Sequence, residues 1–513
     1  MNALINTFGP GGYGGARGDK RSLKTWWPGS RSADSDTVGD LPDLRGRSRD
    51  LERNSPIAAG IIGQPVTAIV GPGLSIKPQV DRKVLGLTDN AAAEWEERAA
   101  LIWELACKTL DITRRNHFAD LTALALTSEL LSGDVLAVRR YKKGRGELLG
   151  TKIQLVEADR ISTPQHILRT DPLFVDGVEL DTDGAPVRYW VSNRHPLDTR
   201  SGQVPIAWTS VPAFSPNTGE PAALHLAHIR RPGQTRGVPY LANVIEPLKQ
   251  AERLLDAELA AAVISSFFTV FVKTEGATGL ADQVTDGSNT DDGVSGPKSR
   301  THDFQLGPAA ILDLDENESI EQANPMRPNA QFGPFFDAIV KQIGVATGIP
   351  VEVLLMAFTA SYSASRASLL EAWRGFKTRR ARLCRQWTHP IYSWVIEESV
   401  AFGLLSAPGF FEDPLRRHAW LGVAITGPSM GQINPRDETA AARERLDLTL
   451  TTRAEETSEL TGGDWERKFP QVVKETEMLR EHGLDREAVS ERIATETTVT
   501  EENSDVPEKV DES

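Results

Sequence analysis

One segment of the sequence matches a motif found in enzymes. Residues Gly427–Gly431 have the G-x-S-x-G pattern, in which hydrolases hold a nucleophilic serine at a sharp turn between a strand and a helix. Pro428 restricts that turn, and QINP follows before a helix could begin. The only downstream histidine, His482, lies in a charged segment, and no predicted α/β sheet surrounds the motif to complete a triad. We therefore interpret the segment as a Gly/Pro turn that leads into a helix.

Two further patterns resemble metal sites, and neither is complete. His225 and His228 are three residues apart, but in a strand-like run that spacing directs them to opposite faces. The acidic run 313–317 resembles the start of an EF-hand loop, but Glu318 stands in place of the required glycine and Asn324 in place of the final glutamate. A phosphate-binding G-x-x-x-x-G-K-[ST] motif is absent from the sequence. We expect no metal, no cofactor and no nucleotide-driven motor.

Composition limits the class of protein further. The chain has 513 residues, of which 40% are hydrophobic and 25% charged, as in soluble globular proteins. Its two cysteines are too few for a disulfide framework. The longest apolar run, Leu259–Val272, is too short to span a membrane, and the N-terminus lacks a secretory signal. A net charge of −14 disfavours a tight grip on a nucleic-acid backbone but is compatible with a wall past which DNA slides.

Periodicity predicts an α+β chain with both helical and strand-rich regions. Residues 134–231 contain short strand-like runs divided by turns, which predicts a compact antiparallel region. The N-terminal residues predict a mobile arm, and the acidic C-terminal residues a disordered tail. The first predicted helical segment covers Leu41–Ile69, with a kink or break at Pro65. Further predicted helices cover 91–109, 117–131, 239–272, 329–346, 363–400 and 464–482. The helix at 117–131 is expected to stop at Gly133, and one more helix is expected to start near Pro435.

Five stretches in order resemble the lambda-type family of phage portal proteins. They are Arg47–Gln79, His228–Ile245 with the core RPGQTRGVP, Gly307–Phe336, Ile343–Arg380 with GIP and LEAWR, and Gly427–Ala442 with its Pro-initiated helix. The resemblance implies a non-enzymatic, ring-forming subunit with a portal fold, in which a helical stem and crown join a mixed α/β wing and a small α/β clip. It also implies a dodecameric channel for DNA packaging and ejection at one capsid vertex.

Mapped onto this sequence, the resemblance implies a division into successive regions. These are an arm (1–45), wing (46–238), stem helix (239–270), clip (271–328), second stem helix (329–347), tunnel loop (348–363), wing and crown helices (364–484) and acidic tail (485–513). The first stem helix carries an apolar stripe that could pack on neighbouring subunits or form an ordinary intrachain core. The stripe consists of Leu254, Leu255, Leu259, Val263, Phe267 and Phe268.

The resemblance places a tunnel loop beside the DNA. Its residues, Phe358, Thr359, Ser361, Tyr362 and Ser363, are uncharged and suit weak sliding contacts. A buried turn anchored by Tyr362 is the alternative.

The helix after this loop is rich in cations. It carries Arg374, Arg379 and Arg382, which could face DNA or form intersubunit salt bridges to acidic residues. Because the protein is acidic overall, we favour the intersubunit role.

The resemblance also implies a sequence of partners. Asp313, Asp315, Glu316 and Glu318 form an acidic edge of the clip that could dock the terminase large subunit and later head–tail connector proteins, or could be a solvated hairpin. The capsid protein or a scaffold, double-stranded DNA and further copies of the chain complete the set, with no membrane. We expect the protein in the virion and, during assembly, in the host cytoplasm. The alternatives are a nucleic-acid-processing enzyme of phage heads and a head–tail adaptor, although adaptors are usually much shorter.

Overall fold

The computed structural model describes residues 13–16, 18–167, 171–199, 205–266, 270–274, 318–322, 331–358, 361–431 and 434–482. The chain divides into two compact units, one formed by residues 1–242 together with 360–513 and the other by residues 243–359. Its mixture of helices and small antiparallel sheets confirms the predicted α+β class. Among the described residues, no helix has the length and apolarity needed to cross a membrane.

The first unit begins with helices. In chain order the elements are α1 (Ala33–Thr37), α2 (Leu41–Asn54), α3 (Pro56–Ile69), β1 (Ser75–Pro78), α4 (Arg82–Leu85), α5 (Asp89–Cys107) and α6 (Phe118–Ser132). Pro65 is buried inside α3 and does not divide it, because a proline removes one backbone hydrogen bond while the apolar face, with Ile61 and Ile62, stays packed. Helix α6 ends as predicted, since Gly133 adopts a φ of +90°.

The predicted antiparallel region between residues 134 and 231 is confirmed. Its strands are β2 (Asp134–Tyr141), β3 (Thr151–Glu157), β4 (Phe174–Val175), β5 (Val178–Leu180), β6 (Pro186–Ser192), β7 (Trp208–Pro212) and β8 (Ala223–Ala227). β2 is the centre of a three-stranded sheet in the order β3-β2-β8, and β4 to β7 form a meander. Buried residues of both sheets, among them Leu136, Val156 and Tyr189, form one hydrophobic core.

The second unit is a helical hairpin with a strand pair between its helices in sequence. It contains α7 (Ile245–Ser266), β9 (Val270–Thr274), β10 (Glu318–Gln322), α8 (Phe332–Thr347) and α9 (Val351–Leu354). Helices α7 and α8 contact each other, and β9 pairs with β10 antiparallel. Helix α7 begins later than the predicted residue 239 because residues 240–244 form turns.

The chain then returns to the first unit. Its elements are α10 (Tyr362–Leu383), a π-helical turn (Cys384–Thr388), α11 (His389–Ala401), α12 (Pro414–Trp420), β11 (Val423–Thr426), α13 (Pro435–Asp447), α14 (Arg453–Thr461) and α15 (Trp465–Glu481). Strand β11 pairs with β1. Trp387 is fully buried and donates its indole N–H to Thr122 of α6 at 3.0 Å, which fixes the C-terminal helices on the N-terminal ones.

Candidate channel loop and buried charge network

The loop between α8 and α10 is fixed at its first turn. Gly348 ends α8 with a φ of +68°, and a Cβ on Gly344 would lie 2.7 Å from the carbonyl oxygen of Ile349. After α9, Met356 adopts a φ of +51° and is 70% exposed. A non-glycine residue at positive φ has a strained backbone, which has an energetic cost. The loop therefore combines a strained backbone at Met356 with an apolar side chain exposed to solvent.

Of the five predicted loop residues, the structure describes the side chains of three. Phe358 is 55% exposed at the end of the second unit. Ser361 and Ser363 are exposed in the first unit, where the Ser361 hydroxyl accepts a hydrogen bond from the N–H of Ala364 and so caps α10. Thr359 and the side chain of Tyr362 lie outside the described residues. The role of all five residues stays a prediction.

The predicted acidic edge is described only in part. Asp313, Asp315 and Glu316 lie outside the described residues, and Glu318 is the first residue of β10, opposite Thr274 in β9. Their docking role stays a prediction.

The three arginines predicted at a subunit interface differ in their surroundings. Arg382 forms an ion pair with Glu129, whose side chain is 2% exposed, and also donates to the carbonyl of Ala227 at 3.2 Å. The guanidinium of Arg379 lies 4.4 Å from the ring centre of Tyr240. Arg374 is 79% exposed and pairs with Glu371, which is 74% exposed. The structure contains one chain, so an intersubunit role stays a prediction, for which Arg374 has the most accessible side chain of the three.

A buried charge network contains residues that sequence reasoning missed. Arg236, in the RPGQTRGVP segment, and Asp134, at the start of β2, both have side chains with no solvent exposure. Arg236 donates to Asp134 at 2.6 and 3.1 Å, to Asp176 at 2.6 Å, and to the carbonyls of Ala158 and Ile161 at 2.8 and 3.0 Å. Every N–H of this guanidinium is therefore satisfied.

Asp134 gathers further donors. The side chains of Arg45 and His225 contact its carboxylate at 3.2 and 3.1 Å, and the N–H of Gly237 lies at 3.2 Å. Burial alone would raise the pKa of this carboxyl, but Arg236 and His225 hold the pKa well below its usual range. His225 is thus a hydrogen-bond partner of Asp134 in this network.

The backbone around this pair leaves no room for side chains. A Cβ on Gly237 would lie 1.9 Å from the carbonyl oxygen of Gly133, and a Cβ on Gly133 would lie 2.3 Å from that of Gly237. Both positions therefore require glycine. Gln234 organises the same segment, because its side chain accepts from the N–H groups of Arg230 and Arg231 and donates to the carbonyl of Arg236 at 2.8 Å.

The end of the predicted N-terminal arm contacts this segment. Asp34 of α1 accepts hydrogen bonds from the N–H and the hydroxyl of Thr235, both at 2.7 Å. Asp36 pairs with Arg231 at 2.6 Å, and Leu41 is fully buried. Residues from α1 onward are thus packed within the first unit, of which they are part.

Within the described residues, neither the enzyme-like motif nor the His225 and His228 pair forms a site, and the acidic run 313–317 lies outside those residues. Ser429 lies in an irregular segment after β11, and the next helix begins only at Pro435, so the strand–turn–helix of a nucleophile elbow is not formed. Within the described residues, one trio could approach a cation: Glu157, Asp159 and His195. Arg49 already pairs with Glu157 and with Asp159, so its guanidinium supplies the positive charge that a cation would bring to this trio.

Comparison with known proteins gives the same family over most of the chain. The family model described as "Phage portal protein, lambda family" matches residues 19–380. The chain is 24% identical over 490 residues to Portal protein B of Escherichia phage lambda, covering 92% of this chain and 91% of that protein. It is 23% identical over 492 residues to the portal protein of Escherichia phage N15, covering 93% and 90%. Among solved structures, the neck of the native gene transfer agent particle matches with a TM-score of 0.41 and 14% identity, covering 82% of this chain and 92% of that one.

These similarities place the chain in a class of structural proteins of the virus particle, which are not enzymes. The chain belongs to the lambda family of phage portal proteins. As a portal protein it is a subunit of an oligomeric ring in the capsid of the virion.

Proposed function

We propose that twelve copies of this chain form the ring-shaped channel through which double-stranded DNA enters the capsid during packaging and leaves it during ejection. The single observation that carries the proposal is the family match across residues 19–380, because it spans both compact units. In this proposal the ring docks the terminase large subunit first and head–tail connector proteins later. It assembles in the host cytoplasm with the capsid protein or a scaffold.

The organisation of the second unit supports the proposed stem and clip. Helices α7 and α8 contact each other, and the β9–β10 pair lies between them in sequence, as a stem that leads into a clip requires. Leu255 and Leu259 of α7 are 40% and 65% exposed. Exposed apolar residues on a stem helix favour packing on neighbouring subunits over an ordinary intrachain core.

The chemistry of the proposed tunnel loop suits a sliding contact. Met356, Phe358, Ser361 and Ser363 are exposed and carry no charge. A loop without cations, such as residues 348–363, adds no attraction to phosphates, whereas each Lys or Arg that met the DNA backbone would tighten DNA binding. The net charge of −14 likewise disfavours tight binding of DNA phosphates to the channel wall.

The clip proposal rests on charge alone. Neutralising Asp313, Asp315, Glu316 and Glu318 together to the corresponding amides would weaken terminase binding if they form the docking edge. Unchanged affinity, measured with the assembled ring, would assign the acids to a solvated hairpin.

The ring is tested first by negative-stain electron microscopy of the purified full-length chain, with light scattering for mass. Rings with a central hole and the mass of twelve subunits support the proposal, whereas a small closed oligomer without a channel contradicts it.

DNA passage is then tested with Ser363→Lys in assembled rings. Twelve added cations at the loop would slow packaging in an in vitro reaction by several-fold, because they bind phosphates. Thr476→Lys, at an exposed position of α15, is the matched control and should package at the normal rate. Equal rates for both variants would remove position 363 from the channel.

A further inference from the structure

A groove of about 1140 Å³ runs across the first unit and is open to solvent. Helix α10 forms one wall, and α13 and α14 form the other. Strand β11 and residues 427–431, which include the enzyme-like motif, also line it. Its apolar side chains include Leu370, Trp373, Ile425, Met430 and Leu460.

One end of this groove carries positive charge without a matching carboxylate. Among the described residues, Arg380 donates only to carbonyl groups, those of Ala68, Ile69 and Pro428, at 2.6, 3.1 and 2.9 Å. Arg385 is exposed in the adjoining π-helical turn, and within the described chain no ion pair includes it. Burial raises the pKa of the nearby Cys384 thiol, and these two cations partly oppose that rise.

The remaining cations of the groove are already matched, Arg445 by Glu456 at 2.7 Å, and one lining carboxylate, Asp437, has no ion pair within the described chain and accepts a hydrogen bond from the side chain of Asn434 at 2.6 Å. Arg366 pairs with Glu438 at 2.9 Å, and Lys377 pairs with Glu459 at 3.1 Å. The groove thus combines an apolar lining with net positive charge at the Cys384 end. An occupant that fits it carries negative charge interspersed with small apolar side chains.

The chain itself contains such a segment. The described residues end at His482, and 31 residues follow. Residues 483–513 contain ten Asp and Glu against three Lys and Arg, with aliphatic residues between them that include Ile493, Val499 and Val506. An extended segment of this length can reach up to about 100 Å, so distance does not prevent it from returning to the groove.

We propose that the groove binds the acidic C-terminal segment, residues 483–513, of this chain, supplied by the same subunit or by its neighbour in the ring. Covalent attachment gives the segment an effective concentration in the millimolar range. Weak individual contacts therefore suffice to keep the groove occupied. The enzyme-like residues 427–431 then form part of a peptide-binding surface.

Cys384 reports occupancy in the full-length chain, because it lines the groove. The only other cysteine, Cys107, is 6% exposed and has a pKa raised by burial to about 12, so it reacts slowly. The probe is the uncharged reagent N-ethylmaleimide. Neutralising the tail with Glu496→Gln, Glu501→Gln, Glu502→Gln and Asp505→Asn should speed modification of Cys384 about three- to ten-fold, and 1 M salt should do the same to the wild type.

The matched control neutralises four exposed carboxylates of the folded unit, with Asp43→Asn, Glu94→Gln, Glu97→Gln and Asp183→Asn. This variant should react at the wild-type rate. Equal rates for the wild type and the tail variant would overturn the proposal, as would an equal acceleration in the control.

A second measurement identifies the contact directly. Glu502→Cys in the full-length chain, under mild copper–phenanthroline oxidation, should form a disulfide with Cys384 that mass spectrometry detects. Arg385→Glu should reduce its yield several-fold, whereas Arg443→Glu, at an 86% exposed position outside the groove, should not. An intrachain link assigns the segment to the same subunit and a dimer-sized product to the neighbour. No link, or a link insensitive to Arg385→Glu, would refute the proposal.

Discussion

Arg236 donates two hydrogen bonds to the carboxylate of Asp134, at 2.6 and 3.1 Å, and neither side chain is exposed to solvent. The same guanidinium donates to the carboxylate of Asp176 and to three backbone carbonyls, so one side chain joins the RPGQTRGVP segment to the three-stranded and the four-stranded sheet of the first unit. A buried pair of this kind is sensitive to the loss of either partner, because the charge that remains has no solvent to stabilise it.

We therefore expect Arg236→Met to lower the free energy of unfolding by about 3–5 kcal/mol, since it leaves Asp134 buried without its main counter-charge. Urea denaturation followed by circular dichroism measures the change. Arg443→Met is the control, because Arg443 is 86% exposed and its loss should change stability by no more than about 0.5 kcal/mol. A change below about 1 kcal/mol for Arg236→Met would mean that Arg45 and His225 balance Asp134 without it.

The glycines beside this pair give a second prediction. Gly237→Ala should prevent normal folding of the first unit, because its Cβ would lie 1.9 Å from the carbonyl oxygen of Gly133. Gly375→Ala is the control: Gly375 lies within α10, and nothing lies within 4 Å of the position that the new methyl group would take, so alanine there should stabilise by about 0.5–1 kcal/mol. Yield of soluble chain and melting temperature distinguish the two. A Gly237→Ala chain that melts like the wild type would show that the contact relaxes easily.

Local sequence signals made much of the fold predictable, but they did not reveal the buried charge network. Gly133 marks the end of α6 and Pro435 the start of α13, because their effects on the backbone act within one turn. Arg236 belongs to a recognisable motif, but its partner Asp134 is 102 residues away, and no spacing rule connects them. The groove is equally hidden in the sequence, since its walls come from α10, β11, α13 and α14, which only folding brings together.

His228 gives a pH-dependent prediction. Burial, with Arg382, Arg379 and Arg230 nearby, lowers the pKa of His228 to about 4, below the ordinary value of 6.5. Between these pH values the unfolded chain binds more protons than the folded chain, so stability should fall as the pH drops from 6.5 towards 4. His228→Gln should flatten that slope in denaturation experiments across this range, and His482→Gln, at an exposed helix end, should not. Identical slopes in wild type and His228→Gln would contradict the shift.

The last prediction separates folding from ring assembly in α10. Arg382→Glu places a second carboxylate against Glu129, whose side chain is 2% exposed, so we expect the isolated chain to lose several kcal/mol of stability. Arg374 is 79% exposed and, within the described part of the chain, pairs only with an exposed neighbour on the same helix, so Arg374→Glu should leave the melting temperature unchanged. If Arg374 forms a salt bridge across the subunit interface, its reversal should reduce the fraction of chains in rings, measured by light scattering and electron microscopy, and lower ionic strength should deepen the defect. Normal rings from a stable Arg374→Glu chain would remove Arg374 from the interface. A stable Arg382→Glu chain that fails only in assembly would return Arg382 to it, because the intrachain pair with Glu129 could then not be its main role.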